Sequence, residues 1–282
     1  MVPPPHQALQ GFFLERPGAP ALFCTVYRPT ANPGRGAVLC LAPLGEELNR
    51  SRHACATTAR ALAQAGYTVL LPDLRGCGDS AGQLADTAWT DWLDDAQAAL
   101  HWLQQACPST APWLWAVRSG ALLAHGLLEQ RSTPLPLLLW QPQTDGDAWV
   151  RQWLRLHGAS ALAAGDSAQV MARTRQAWAE GRTVDIAGYA WPGPLMQTIG
   201  QRRGAPPPGA GQPLWWLDIG PGPADRAASP VATQALEAWQ RAGWHSSFQA
   251  VQAPAFWQSA DIEAVPALAV ASVAALNGAV QP

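Results

Sequence analysis

The chain has 282 residues, 48% of them hydrophobic, and a formal net charge of −2, which excludes a broad basic face for nucleic acid. Charged residues are only 13%, against ~25% in an average globular chain, but 15 Trp argue against disorder and for one large buried core. All 18 cationic residues are Arg, so Schiff-base and phosphate-loop lysine chemistries are excluded.

Ala21–Tyr27 reads as an early strand, followed by a turn-rich stretch from Pro29 to Gly36. Ala37–Leu41 is a short, continuously apolar run of the kind buried on both faces of a sheet. A helix is expected from about Arg50 to Ala65, stopped by Gly66, then a strand over Tyr67–Leu71 broken by Pro72. A second helix runs from about Thr87 to Gln105, with Asp91, Asp94 and Asp95 towards the end where the helix dipole favours them. Strand Trp113–Val117, helix Ser119–Gln130 and strand Leu135–Trp140 continue the alternation. From Thr144 to Gly211 the rhythm stops, and the chain reads as helical, then loop-like. It resumes with strand Leu214–Ile219, helix Ser229–Ala242, strand Ser247–Val251 and a last helix from about Ser259 to Leu276. Such alternation predicts an α/β fold, a mostly parallel sheet flanked by helices. Residues 1–143 and 212–282 would form the core, and 144–211 an inserted cap or lid.

Cys24, Cys40, Cys55, Cys77 and Cys107 are odd in number and scattered, and read as small buried residues rather than a disulfide framework or zinc site. No metal and no cofactor are expected. The N-terminus, Met1 to His6, lacks the charged and apolar regions of a secretory signal. The longest nearly apolar stretch, Val265–Leu276, is shorter than the ~20 residues of a membrane helix. A soluble cytoplasmic protein is the expectation.

The most specific local signal is Asp73-Leu74-Arg75-Gly76-Cys77-Gly78-Asp79-Ser80, a D-x-R-G-x-G-x-S turn leaving a strand. Its glycines permit a tight turn, and its Asp and Ser can cap the next element. Gly76, Gly78 and Ala81 also fit a loose dinucleotide fingerprint, with Asp94 and Asp95 as ribose acids. That reading is the weaker one, because such a unit opens its sheet and leads directly into a helix.

With these elements in order the chain resembles an α/β-hydrolase, and more narrowly the exosortase A system-associated hydrolase 2 family. The residues carrying the likeness are Pro43–Arg52, Asp73–Gly82, Trp89–Asp95, Leu114–Leu123 and Leu137–Pro142, with a looser match at Pro254–Trp257. The resemblance implies a bacterial protein of the exopolysaccharide and PEP-CTERM protein-sorting context, accompanied by a second, distantly related α/β-hydrolase. It implies no substrate.

An α/β-hydrolase carries its nucleophile on a small-x-Ser-x-small turn between a strand and a helix. Here the small residues are Ala116 and Gly120, and the residue between them is Arg118. Using Ser119 would put the bulky Val117 at a flanking position. The turn therefore presents an arginine, which the resemblance implies is the family's habit. A guanidinium stays protonated and cannot attack. A triad histidine would fall near Gln252–Gln258, which contains none, and His245 precedes the last strand. Asp225 follows strand Leu214–Ile219 where a triad acid sits, although a turn Asp beside Gly and Pro explains it equally well. Ser119 and Asp225 are thus the remaining catalytic candidates.

Arg118 would lie at a helix N-terminus, facing the loop that carries Glu46 and Glu47. In one reading it pairs with Glu46 or Glu47 and fills the site, since a buried guanidinium needs a partner. In another, Arg118 and Arg52 receive a carboxylate or phosphate of a ligand, with Asn49 and Asp73 in the same pocket. In a third, a glutamate activates water as general base. Trp149 and Trp153, at helical spacing, read as the core stripe of the cap more readily than as a sugar-stacking groove shared with Trp178 and Trp191. His101 and His125 read as structural, and Arg151 and Arg155 as a solvated helix face. Two functions of different class follow. One is hydrolysis of an ester or acyl group in exopolysaccharide production. The other is a non-catalytic protein, a pseudoenzyme, binding a small anionic or acylated ligand or the companion hydrolase.

Overall fold

The computed structural model describes residues 8–30, 34–160, 166–203 and 205–278. Five strands rich in apolar residues assemble in parallel at its centre: β3 (Gly36–Leu41), β4 (Tyr67–Pro72), β5 (Trp113–Val117), β6 (Leu137–Trp140) and β9 (Pro213–Gly220). β10 (His245–Gln252) adds a parallel edge, while β1 (Leu9–Arg16) and β2 (Ala19–Tyr27) form an antiparallel hairpin at the other. The order is β1-β2-β4-β3-β5-β6-β9-β10. Helices α2 (Trp89–Ala106), α3 (Gly120–Glu129) and α7 (Pro230–Arg241) contribute to the core on one face, and α1 (Glu46–Gln64) and α8 (Pro266–Gly278) to that on the other. β5 shows why continuous apolar runs were needed: Leu114 and Ala116 enter the first core, Trp113, Trp115 and Val117 the second.

Between β6 and β9 lie α4 (Gly146–Ser160), α5 (Ser167–Ala179), the hairpin β7 (Thr183–Ile186) and β8 (Tyr189–Pro192), and α6 (Gly193–Gln201). Trp149, Trp153, Trp178 and Trp191 are all buried here, and the first two pack edge-on against Trp191. This is the core stripe that helical spacing suggested, and burial rules out a sugar-stacking groove.

Several boundaries differ from the sequence expectation. β1 was not anticipated, nor was the β7–β8 hairpin in a region read as loop. α1 begins at Glu46 rather than near Arg50, because acidic residues in a first turn meet the positive end of the helix dipole. α8 begins at Pro266, not Ser259, since proline suits the first helical turn and its predecessor resists helix. The Gly76–Ala81 segment does not enter a helix, since only a short turn at Leu84–Asp86 precedes α2; a dinucleotide loop is therefore not formed.

The Asp73–Ser80 turn is a polar hub. Asp73 accepts from Asp79 N (3.0 Å) and pairs with Arg52 (3.1 Å), while the Ser80 hydroxyl donates to Asp73 O (2.6 Å) and accepts from Phe23 N (2.8 Å). Gly78, at φ 53°, must be glycine, because a Cβ there would collide with both Asp73 and Arg52. Asp95 of α2 is fully buried, yet it accepts from Arg75 Nη2 (2.7 Å), Arg75 N (2.8 Å) and Arg16 Nη1 (2.6 Å). It thereby ties β1, the turn and α2 together. Asp95→Ala would leave two guanidinium groups short of a buried partner. A loss of about 3–5 kcal/mol is expected in urea unfolding, whereas Asp94→Ala, at the exposed neighbour, should change little.

Candidate functional site

The sheet places its functional turn where β5 meets α3. Arg118 there has φ 52°, a left-handed conformation uncommon for any residue but glycine. The turn is pinned by Arg118 N donating to Trp140 O (2.9 Å) and by Ala121 N and Gln143 N donating to Arg118 O (3.1 and 3.0 Å). Gly120 allows the approach, since a Cβ at that position would strike the Leu41 carbonyl oxygen. The tight turn is thus centred on Arg118, with Ala116 and Gly120 either side.

The Arg118 side chain is enclosed. Nη2 donates to Glu47 Oε1 (3.2 Å), Nη1 donates to Gln141 O (3.0 Å), and the guanidinium carbon lies 4.8 Å from the Trp257 ring centre. Only 11% of the Arg118 side chain and 9% of Glu47 are exposed. Gln152 of α4 also donates to Glu47 Oε1 (3.3 Å), so the inserted segment contributes to the same carboxylate. Of the readings the sequence left open, internal pairing is the arrangement formed, and its partner is Glu47.

Glu46 instead accepts from Arg50 Nε (3.1 Å) and from the Tyr189 hydroxyl (2.9 Å), and burial together with that carboxylate pushes the Tyr189 phenol up to about 12. Asn49 is exposed and donates to the Tyr189 oxygen (3.1 Å). Arg52 is turned to Asp73, not to Arg118, so the two arginines do not form a joint anion clamp. Both glutamates belong to the first turn of α1 rather than to a free loop.

Ser119 is fully buried, and its hydroxyl accepts a hydrogen bond from Leu44 N (2.9 Å), the loop between β3 and α1. It therefore faces the chain's own backbone rather than an opening. Asp225 is exposed in the turn after β9 and has no side-chain partner among the described residues. The acid that is held near that strand end is Asp218, paired with Arg226 (3.2 Å). His245 opens β10 at its N-terminal end and is exposed. His125 is buried in α3, its Nε2 against Ala205 O and its Nδ1 3.3 Å from Glu129; burial lowers its pKa. His157 bonds Thr174 within the inserted segment (3.0 Å), and exposed His101 contacts Gln105 (2.9 Å). His101, His125 and His157 thus have places away from the Arg118 turn, His245 lies at the wrong end of its strand, and His53 is exposed on α1.

Two members of the site escaped the sequence reading. Trp257, in the segment after β10, belongs to the looser part of the family likeness and to a stretch without histidine, and neither points to a contact with Arg118. Gln141, at φ 40°, supplies its carbonyl to Arg118 while its Oε1 accepts from Ile219 N (2.6 Å), extending the β6–β9 pairing by a side chain. A glutamine directly after a strand gave no signal for that role.

The family model of the X-Pro dipeptidyl-peptidase (S15) family matches residues 21–279. The chain belongs to that family. Over 55 residues this S15-family chain is 38% identical to a thermostable monoacylglycerol lipase of Bacillus sp. (strain H-257), a match covering 20% of this chain and 22% of the lipase. Its fold is similar to that of ferulic acid-bound Est1E from Butyrivibrio proteoclasticus, with a TM-score of 0.64, 12% identity, and coverage of 95% of this chain and 99% of that one. A highly thermostable carboxyl esterase from Bacillus coagulans, in complex with glycerol, gives a TM-score of 0.62 at 13% identity, covering 98% of this chain and 100% of that one. The fold is the α/β-hydrolase fold of these esterases. No helix among the described residues is long and apolar enough to cross a membrane.

Removing Glu47 alone should leave the Arg118 charge buried and unpaired. Glu47→Ala is expected to cost about 3–5 kcal/mol, and the double variant Glu47→Leu/Arg118→Met to recover most of that loss. Urea unfolding of the full cycle, with Glu47→Leu and Arg118→Met alone and together, measures it; a double-variant cost equal to the sum of the two single costs would show that the pair is not coupled.

Proposed function

We propose that this S15-family protein is a non-hydrolytic α/β-hydrolase-fold component of the exosortase A-associated exopolysaccharide and PEP-CTERM system, acting through the companion hydrolase. Arg118 stands in place of the nucleophilic serine. The observation that carries this reading is the closed Arg118–Glu47–Trp257 arrangement at the strand-to-helix turn. A guanidinium cannot attack a carbonyl, and Trp257 occupies the segment after the last strand where a triad base belongs. The oxyanion donors are compromised as well. In this fold they come from the residue after the nucleophile and from the loop after β3. Here the Leu44 N–H of that loop is engaged by the Ser119 hydroxyl. The exosortase A placement rests on Pro43–Arg52, Asp73–Gly82 and Leu114–Leu123.

Family membership favours a second reading, hydrolysis of an ester or acyl bond with Ser119 or Asp225 taking part. The two are separated by treating the full chain with a fluorophosphonate probe, beside short-chain ester hydrolysis and a Ser119→Ala control. Neither labelling nor turnover is expected. Labelling that vanishes in Ser119→Ala would establish a serine hydrolase and overturn the proposal. Arg118→Ser should not gain esterase activity, because no histidine is placed to deprotonate the new hydroxyl.

A further inference from the structure

We propose that the corner between α1 and the β1–β2 hairpin is a binding site for a small amphipathic carboxylate, an apolar body of about six carbons with its anionic head on Arg52. A cavity of about 140 Å³ lies there. Its walls are Phe23 and Tyr27 of β2, Leu48 and Ala56 of α1, and Leu71 of β4. An apolar cavity of ~150 Å³ is enough to hold a benzene ring, which sets the size of the body. A separate, smaller pocket of about 20 Å³ borders it, with Cys40, Ala42, Leu48, Pro72 and Asp73 in both linings.

The fold explains why the corner is open. On this face of the sheet the side chains of β1 stay outside the core, leaving Leu9 48% and Phe13 55% exposed beside Phe23. An apolar lip thus leads into the cavity. At its edge Arg52 and Asp73 form a two-point ion pair (3.1 and 3.2 Å), with Asp73 buried and the arginine side chain 43% exposed. Asp73 engages two of the five guanidinium N–H donors, so the outer edge of Arg52 can still receive a second carboxylate. This site is separate from the Arg118 turn, and its occupancy does not depend on whether the protein hydrolyses anything.

The test is calorimetric titration of the full chain with heptanoate, whose tail has six carbons, beside 1-heptanol and acetate. Saturable one-to-one binding of heptanoate is expected, with heptanol about tenfold weaker for want of the charge-assisted hydrogen bond and acetate not binding. Ala56→Phe, which fills the cavity from α1 one turn after Arg52, should abolish heptanoate binding. Arg52→Gln should level heptanoate and heptanol. In the unaltered chain, heptanoate should also slow methyl methanethiosulfonate modification of Cys55, which lines the cavity, as followed by peptide mass spectrometry. No saturable heptanoate binding, undiminished binding in Ala56→Phe, or an unchanged rate at Cys55 would each overturn the proposal.

Discussion

The guanidinium of Arg118 is the contact on which the whole strand-end face depends. Its donors and its π-face reach the first turn of α1 through Glu47, the end of β6 through the Gln141 carbonyl, and the segment after β10 through Trp257. Those three elements lie far apart in sequence and converge only because a parallel sheet brings its C-terminal strand ends to one side. In an α/β-hydrolase that convergence positions a nucleophile, an acid and a base. Here a single long cation spans it. The pair with Glu47 is nearly withdrawn from water, where two charges are tolerated only if they hold each other. A site built this way is closed by burial and by charge balance: the Arg118 side chain is only 11% exposed, and its charge is already matched by Glu47.

A second polar cluster fixes the opposite end of the site. Asp73, Arg75, Asp95, Arg16 and Ser80 join the β1–β2 hairpin, the turn after β4 and α2. Because Gly78 must pass within contact of Asp73 and Arg52, the glycine and the ion pair are one structural unit. The motif Asp73–Ser80 therefore encodes a junction, and its strength as a sequence signal comes from packing rather than catalysis. The inserted segment follows similar logic. Its tryptophans are used as core, and among the described residues Gln152 is the polar side chain it sends to Glu47.

The central sheet was legible in the residues, because strands buried on both faces must be continuously apolar and runs such as Leu114–Val117 have no other common use. The turn at Arg118 was legible too, since Ala116 and Gly120 mark where two backbones crowd together. β1 was not. As an edge strand with one exposed face, Leu9–Arg16 has only the three-residue apolar run Phe12–Leu14, bounded by Gly11 and Glu15. The β7–β8 hairpin is short and turns at Ala187 and Gly188, both at positive φ, where alanine gives no warning. Partner choice was the least legible. Glu46 and Glu47 are adjacent, yet successive helix residues point about 100° apart, so one reaches Arg118 and the other Tyr189. Sequence spacing distinguishes those faces only once the helix start is known, and that start lies four residues earlier than periodicity suggested.

Ser119 shows how much the position of a turn decides for the residue beside it. The turn gives Arg118 the strained, outward position and leaves its neighbour in ordinary helical backbone, at φ −65° and ψ −15°. One residue on from Arg118, at the C-terminal end of the central strands, the hydroxyl accepts the Leu44 N–H. The bond satisfies a buried donor that would otherwise need a partner. It also fixes the β3–α1 loop against the turn, and so holds α1 where Glu47 can meet Arg118. An arginine at this turn would by itself leave a buried charge beside an open donor loop. Glu47 neutralises the first and Ser119 occupies the second, so the three residues form a mutually dependent set rather than the remnant of a lost active site.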